Sequence, residues 1–233
     1  MILFCLPYAG GSKSIYRNWK KHLKDSITLF PIELKGHGTR YAESFYENIE
    51  EAIEDVYTLI KDKIDMENYA ILGHSMGSLL AYELYYKIDQ MNKKKPKHIF
   101  FLGHGAPNIK KQYEISHLLP DDKFIEKIMA LGGTPEEVIN NQELLSIFVP
   151  ILKNDFKLLD SYKYIDKKQK INCDISIMYG DNDTIALPEI HEWSRHTNKE
   201  FNIYKFHGTH FFINEHVESI TNIINTKLLS TKG

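Results

Sequence analysis

A mostly parallel β-sheet covered by helices on both faces is the architecture this sequence predicts, and three observations predict it. Short apolar runs rich in β-formers alternate with longer amphipathic stretches, as βα units require. One long interval in the second half carries helical patterns only, which marks an insertion in that alternation. The chain has 233 residues, 42% hydrophobic and 26% charged, so folding can bury about 70% of its surface in one sizeable core.

Taken in order, Ile2–Leu6, Ile27–Ile32, Tyr69–Leu72, Ile99–Leu102, Ile175–Tyr179 and Phe201–Phe206 read as strands, each a compact apolar run. Tyr16–Lys24, Asn48–Lys63, Ser78–Met91, Leu187–His196 and Ile213–Leu229 read as helices. In the second of these, Ile49, Ile53, Val56, Tyr57 and Ile60 recur at helical spacing and make one apolar face. Between Pro107 and about Lys170 no strand is expected; Asp121–Leu131, Pro135–Asn140 and Gln142–Ser161 are helical in pattern, with Pro135 suited to a first turn and Gly132-Gly133 a break. The expected organisation is a core of residues 1–107 and 171–233, with residues 108–170 a helical lid over the site.

Lys plus Arg is 29 and Asp plus Glu is 31, a formal net charge of -2, so no strong field favours nucleic acid or an anionic membrane. The two cysteines, Cys5 and Cys173, make no disulfide framework and point to a reducing compartment. Pro7 and Gly10 interrupt the first apolar run, so no signal peptide is expected, and no stretch approaches the roughly 20 apolar residues of a membrane span. A cytoplasmic location follows as the expectation.

Chemistry enters at Gly73-His74-Ser75-Met76-Gly77, a G-x-S-x-G pattern with a strand before it and a helix after it. A turn this sharp strains Ser75 so that its hydroxyl projects from the sheet, and it leaves no room for side chains at Gly73 and Gly77. The helix start presents the Met76 N–H where an oxyanion would form. A serine needs a base. His210, in the loop between the last strand and the last helix, reaches the same sheet edge. His207 is assigned to the strand end, His74 is expected to point away from the serine, and His191 and His196 are expected on the surface. The orienting acid should follow the preceding strand, where Asp181 and Asp183 both qualify. Asp183, further into the loop, is preferred, and Asp181 suits a turn beside Gly180. The order Ser75, Asp183, His210 is that of α/β-hydrolases. The glycine-containing loop Leu6-Pro7-Tyr8-Ala9-Gly10-Gly11 supplies a second oxyanion donor, assigned to the Ala9 N–H; neither phosphate-loop pattern is present.

These motifs together resemble the stand-alone type II thioesterases of nonribosomal peptide and polyketide synthesis, relatives of medium-chain acyl-carrier-protein thioesterases. The resemblance rests on Phe4 to Gly11, Tyr16, Trp19, Pro31 to Arg40 and Gly73 to Gly77. It continues through Gly132-Gly133-Thr134-Pro135-Glu136-Glu137-Val138, Pro150 to Phe156, Trp193 and Gly208 to Phe212. Three positions depart from the family pattern: Lys35-Gly36-His37-Gly38-Thr39-Arg40 stands where Pro-Gly-Arg-Gly-x-Arg is usual, so Lys35 and His37 differ, and Lys153 replaces an arginine. The resemblance implies an α/β-hydrolase fold and a substrate held as an acyl thioester on the phosphopantetheine arm of a carrier protein. It implies carrier domains as partners and chemistry that needs no cofactor or metal; nothing in the sequence demands more than a monomer, and the charge balance favours neither nucleic acid nor membrane. Lys93-Lys94-Lys95-Pro96-Lys97 and Lys167-Lys168-Gln169-Lys170 read first as solvated loop ends, and more sharply as a docking patch for an acidic carrier. The rival functions are product release by a medium-chain acyl-carrier-protein thioesterase or general esterase, and a binding protein that keeps the fold without turnover.

Overall fold

The computed structural model describes residues 1–109, 115–133, 138 and 140–230. Six strands, β1 (Ile2–Leu6), β2 (Thr28–Pro31), β3 (Tyr69–His74), β4 (His98–Leu102), β5 (Asp174–Gly180) and β6 (Phe201–Phe206), form one sheet in the order β2-β1-β3-β4-β5-β6. Every neighbouring pair is parallel. The order reverses between β1 and β3, and the crevice beyond their carboxyl ends is where such sheets take ligands.

Alternate residues of the strands feed two cores, because side chains of a strand point to opposite faces. Phe4, Leu6, Ile71, Ile99, Phe101 and Ile177 face helices α1 (Ile49–Ile64) and α2 (Met76–Gln90). Leu3, Cys5, Leu72, Phe100, Leu102 and Met178 face the opposite layer. Asn48 caps α1, its side-chain oxygen accepting from Glu51 N–H at 2.8 Å. The segment between β4 and β5 holds α3 (Asp121–Leu131) and α4 (Gln142–Ser161), which share a small cluster of Phe124, Ile128, Val149, Leu152 and Phe156. The chain then adds α5 (Leu187–Glu192), α6 (Phe212–Glu215) and α7 (Val217–Leu229).

Several elements differ from the sequence reading. Tyr16–Lys24 is not one helix but lies across two single 3-10 turns, Lys13–Tyr16 and Trp19–Lys21. Tyr16 and Trp19 are both buried, their rings packed edge-on with centroids 5.1 Å apart. Tyr16 also donates its hydroxyl to the Leu6 carbonyl at 2.8 Å, pinning the turn to β1. Leu187–His196 divides into α5 and a 3-10 turn at Trp193–His196. Of the helix expected at Pro135–Asn140, positions 135–137 and 139 lie outside the described residues.

Candidate active site

Three sheet-edge loops build the site. The first is the turn from β3 into α2. Ser75 sits there at φ 55° and ψ -116°, a left-handed conformation that costs a side-chain-bearing residue about 1–3 kcal/mol. Its N–H donates to the Leu102 carbonyl at 2.8 Å. A Cβ on Gly73 would overlap the Gly77 carbonyl, and one on Gly77 would overlap the Leu6 carbonyl. Glycine is required at both positions because backbone meets backbone. Ser78 braces the turn, its hydroxyl accepting from Leu102 N–H at 3.0 Å and lying 2.7 Å from the Gly73 carbonyl.

The second loop follows β6 and the third follows β5. His210 Nδ1 donates to Asp183 Oδ2 at 2.8 Å, and the Asp183 side chain is only 1% exposed. Asp183 Oδ1 accepts from Thr184 N–H at 2.7 Å, so both carboxylate oxygens are held. Asp181 is turned elsewhere: its Oδ1 accepts from Gly208 N–H at 3.0 Å and lies 3.3 Å from His207 Nδ1. The Gly208 N–H first, then His207, keep the Asp181 carboxyl below its ordinary range. His207 stands one residue past β6 and is exposed.

The structure brings Ser75, His210 and Ala9 onto one cavity of about 540 Å³, whose far wall is made by Leu131, Phe148, Leu152 and Phe156 of the helical segment. With Nδ1 committed to Asp183, Nε2 is the His210 nitrogen left for proton transfer. Met76, assigned as the other oxyanion donor, is the first residue of α2 and fully buried. The first N–H groups of a helix have no partner within it.

Sequence reasoning missed several supports. His74 lies under His210 and donates Nε2–H to the His210 carbonyl at 2.9 Å. Burial, then the neighbouring His210, push the His74 pKa down to about 3, so it stays neutral. Its place inside the Gly-His-Ser-Met-Gly run was the only signal. Glu189 of α5 lines the cavity, and its Oε2 is buried with no hydrogen-bond partner among the described residues. Asp155 of α4 accepts the Gly10 N–H at 2.7 Å, tying the helical segment to the loop that carries Ala9. Lys153 donates to the Leu119 carbonyl at 2.8 Å and pairs with Asp121, so the lysine at this departure holds the start of α3.

His196 corrects the surface expectation. It is 8% exposed, its Nε2 lies 2.8 Å from Asn108 Oδ1, and its ring meets Tyr82 and Trp193 edge-on. The 3-10 turn after α5 swings it inward. His191 is exposed. The lysine runs precede β4 and β5, at the sheet edge opposite Ser75, and Lys95, Lys168 and Lys170 line one shallow depression there. Lys93 pairs with Asp65, Lys95 with Asp89 at 2.6 Å and Lys167 with Glu83 at 2.7 Å. Their position favours solvated, locally paired loop ends over a docking patch for a substrate delivered to the cavity.

The thioesterase domain family matches residues 1–228. The chain belongs to this family. The thioesterase is 36% identical over 214 residues to the gramicidin S biosynthesis protein GrsT of Aneurinibacillus migulanus, covering 91% of this chain and 83% of that one. It is 32% identical over 232 residues to thioesterase PikA5 of Streptomyces venezuelae, with coverage of 99% and 82%. Among solved structures, ClbQ from the colibactin nonribosomal peptide and polyketide pathway superposes with a TM-score of 0.93 at 36% identity, covering 97% and 96% of the two chains. The fold is therefore that of the α/β-hydrolases, and the thioesterase is a hydrolase acting on thioester bonds. Among the described residues no helix is long and apolar enough to cross a membrane, and no group of three or more His, Cys, Asp or Glu side chains could hold a metal ion.

Proposed function

We propose that this thioesterase is a type II, editing enzyme, removing acyl groups from the phosphopantetheine arms of carrier proteins in a nonribosomal peptide or polyketide assembly line. The observation that carries the catalytic part is the 2.8 Å bond from His210 Nδ1 to Asp183, with His210 and Ser75 on one cavity. The assembly-line part is supported by the pathway names of GrsT and ClbQ.

Ser75 Oγ attacks the thioester carbonyl carbon while His210 Nε2 takes its proton. Asp183 holds the ring and stabilises the imidazolium. The Ala9 and Met76 N–H groups receive the carbonyl oxygen as it becomes an oxyanion; removing one such donor costs other hydrolases about 3–4 kcal/mol. The C–S bond breaks and the pantetheine sulfur takes the proton from His210. Water then attacks the seryl ester with His210 as base, the Ser75 C–O bond breaks, and the proton returns to Ser75 Oγ. Thioester and water become acid and thiol, and the balance needs no cofactor, redox partner or metal.

Residues 108–170 act as the lid that sets cavity depth, on the core of residues 1–107 and 171–233. The partner is a carrier domain, and the enzyme works as a cytoplasmic monomer. The two free, buried cysteines support a reducing compartment. Labelling by a fluorophosphonate probe, lost in Ser75→Ala, tests the nucleophile. Rates on short-acyl, aminoacyl and long-acyl carrier thioesters then test the editing role. A preference for long, finished chains over short or aminoacyl loads would overturn it in favour of product release.

A further inference from the structure

Outside the catalytic groups, one cluster of buried ionisable side chains stands out. His37, 2% exposed, faces an oxygen with each ring nitrogen: the Lys35 carbonyl is 2.9 Å from Nδ1 and Asp155 Oδ2 is 2.9 Å from Nε2. A carbonyl only accepts, so Nδ1 carries a hydrogen. Asp155 is 1% exposed, and its Oδ2 also accepts the Gly10 N–H at 2.7 Å. Facing an ionised Asp155, Nε2 must carry a hydrogen as well, and His37 is then an imidazolium held between two acceptors. Asp155 Oδ1 is buried without a hydrogen-bond partner among the described residues, which makes its charge depend on the Oδ2 contacts.

This pair joins three parts of the molecule: the loop after β2, helix α4 and the loop after β1. Gly10 has φ +76°, and a Cβ there would stand 2.6 Å from Leu152 Cδ2 of α4, so the loop and the helix already touch at that point. Gly10 directly follows Ala9, which lines the cavity beside Ser75.

We propose that His37 is a positioning residue whose protonated ring, through Asp155, clamps the Gly10 segment against α4 and so sets the place of the Ala9 N–H, a clamp that opens when His37 loses its proton. The proposal rests on the assignment of Ser75 and Ala9 above. The charged groups facing His37 are the Asp155 carboxylate from α4 and, from its own loop, the Glu33 carboxylate; the Lys35 ammonium is turned to Glu51 at 3.5 Å. Burial opposes the charge on His37, but Asp155 chiefly, then the Lys35 carbonyl and Glu33, outweigh it and raise its pKa. A group whose pKa is raised on folding contributes its stabilisation below the unfolded pKa and loses it as pH climbs through the folded one. The clamp is therefore shut below the raised pKa of His37 and opens as the pH climbs through it.

The test reads the Gly10 amide directly, by hydrogen exchange followed by NMR and corrected for intrinsic rate. In the native protein its protection should fall about tenfold or more between pH 6 and pH 9. His37→Arg, a permanent cation, should hold protection within about twofold across that range. His37→Gln and Asp155→Asn should be poorly protected throughout. In parallel, kcat/KM for an acyl thioester should decline with the same alkaline midpoint in the native enzyme and lose that limb in His37→Arg. Constant protection in the native protein, or an equal fall in His37→Arg, overturns the clamp. Should Ser75 fail to react with fluorophosphonate while Gly10 behaves as stated, the catalytic assignment fails and the clamp stands.

Discussion

The turn around Ser75 and the helical segment between β4 and β5 face the same cavity but are held by different physics. At the turn, main chain meets main chain: Gly73 packs on the Gly77 carbonyl and Gly77 on that of Leu6, and the strained Ser75 is locked by its bond to Leu102. In the helical segment the cavity wall is side chain against side chain, a cluster of five buried residues with Leu118, Met129, Leu144 and Ile147 exposed around it. Backbone sterics tolerate no substitution, whereas a small side-chain cluster can repack. The place of Ser75 is therefore fixed by main-chain contacts, whereas the cavity wall rests on side chains that a substitution can repack.

Substitutions can break that comparison. Ser75→Ala should lower kcat by about 10⁴- to 10⁶-fold with an unchanged fold, measured by thioester turnover and circular dichroism. Asp183→Asn should cost about 10²- to 10⁴-fold in kcat, because the amide no longer selects the right His210 tautomer. Asp181→Asn, which only loosens the Gly208 turn, should stay within about threefold in the same assay. Gly77→Ala should destabilise the whole domain by about 3 kcal/mol or more, seen as a fall in the denaturant midpoint. Phe124→Ala, at the centre of the small cluster, should instead raise KM and shift acyl-chain preference, with loss of exchange protection confined to α3 and α4. The smallest effect belongs to Lys168→Glu with Lys170→Glu, on the far edge of the sheet. Turnover of a carrier-bound thioester at low salt should change by less than about twofold. A tenfold loss there would restore the docking patch.

Legibility followed the range of the interactions. Ile2–Leu6 and Phe201–Phe206 appear as strands at the residues read from the sequence, and Asp121–Leu131 and Gln142–Ser161 as helices. An apolar run or a helical period is a local signal, and nothing distant competes with it there. Tyr16–Lys24 is not one helix because Tyr16 is drawn to the Leu6 carbonyl and Trp19 to the same core, and the segment divides into separate 3-10 turns there. His196 failed because its burial comes from Tyr82 and Asn108, 114 and 88 residues earlier in the chain. The preference for Asp183 rests on its place further into the loop and on the turn beside Gly180 that suits Asp181; what distinguishes the two in space is the 2.8 Å approach of His210 to Asp183 across 27 residues.

By itself the sequence determined the alternation of strands and helices, the glycines that a sharp turn demands, and the residue types from which a nucleophile, a base and an acid could be drawn. These are properties of neighbours along the chain, where sterics and periodicity act without reference to the rest of the molecule. Only the tertiary structure decided which carboxylate meets His210, that His74 lies neutral beneath it, and that His37 and Asp155 share a buried proton link with Gly10. Such pairings depend on which distant groups are taken out of water together, and desolvation is a property of the assembled core rather than of any segment of it.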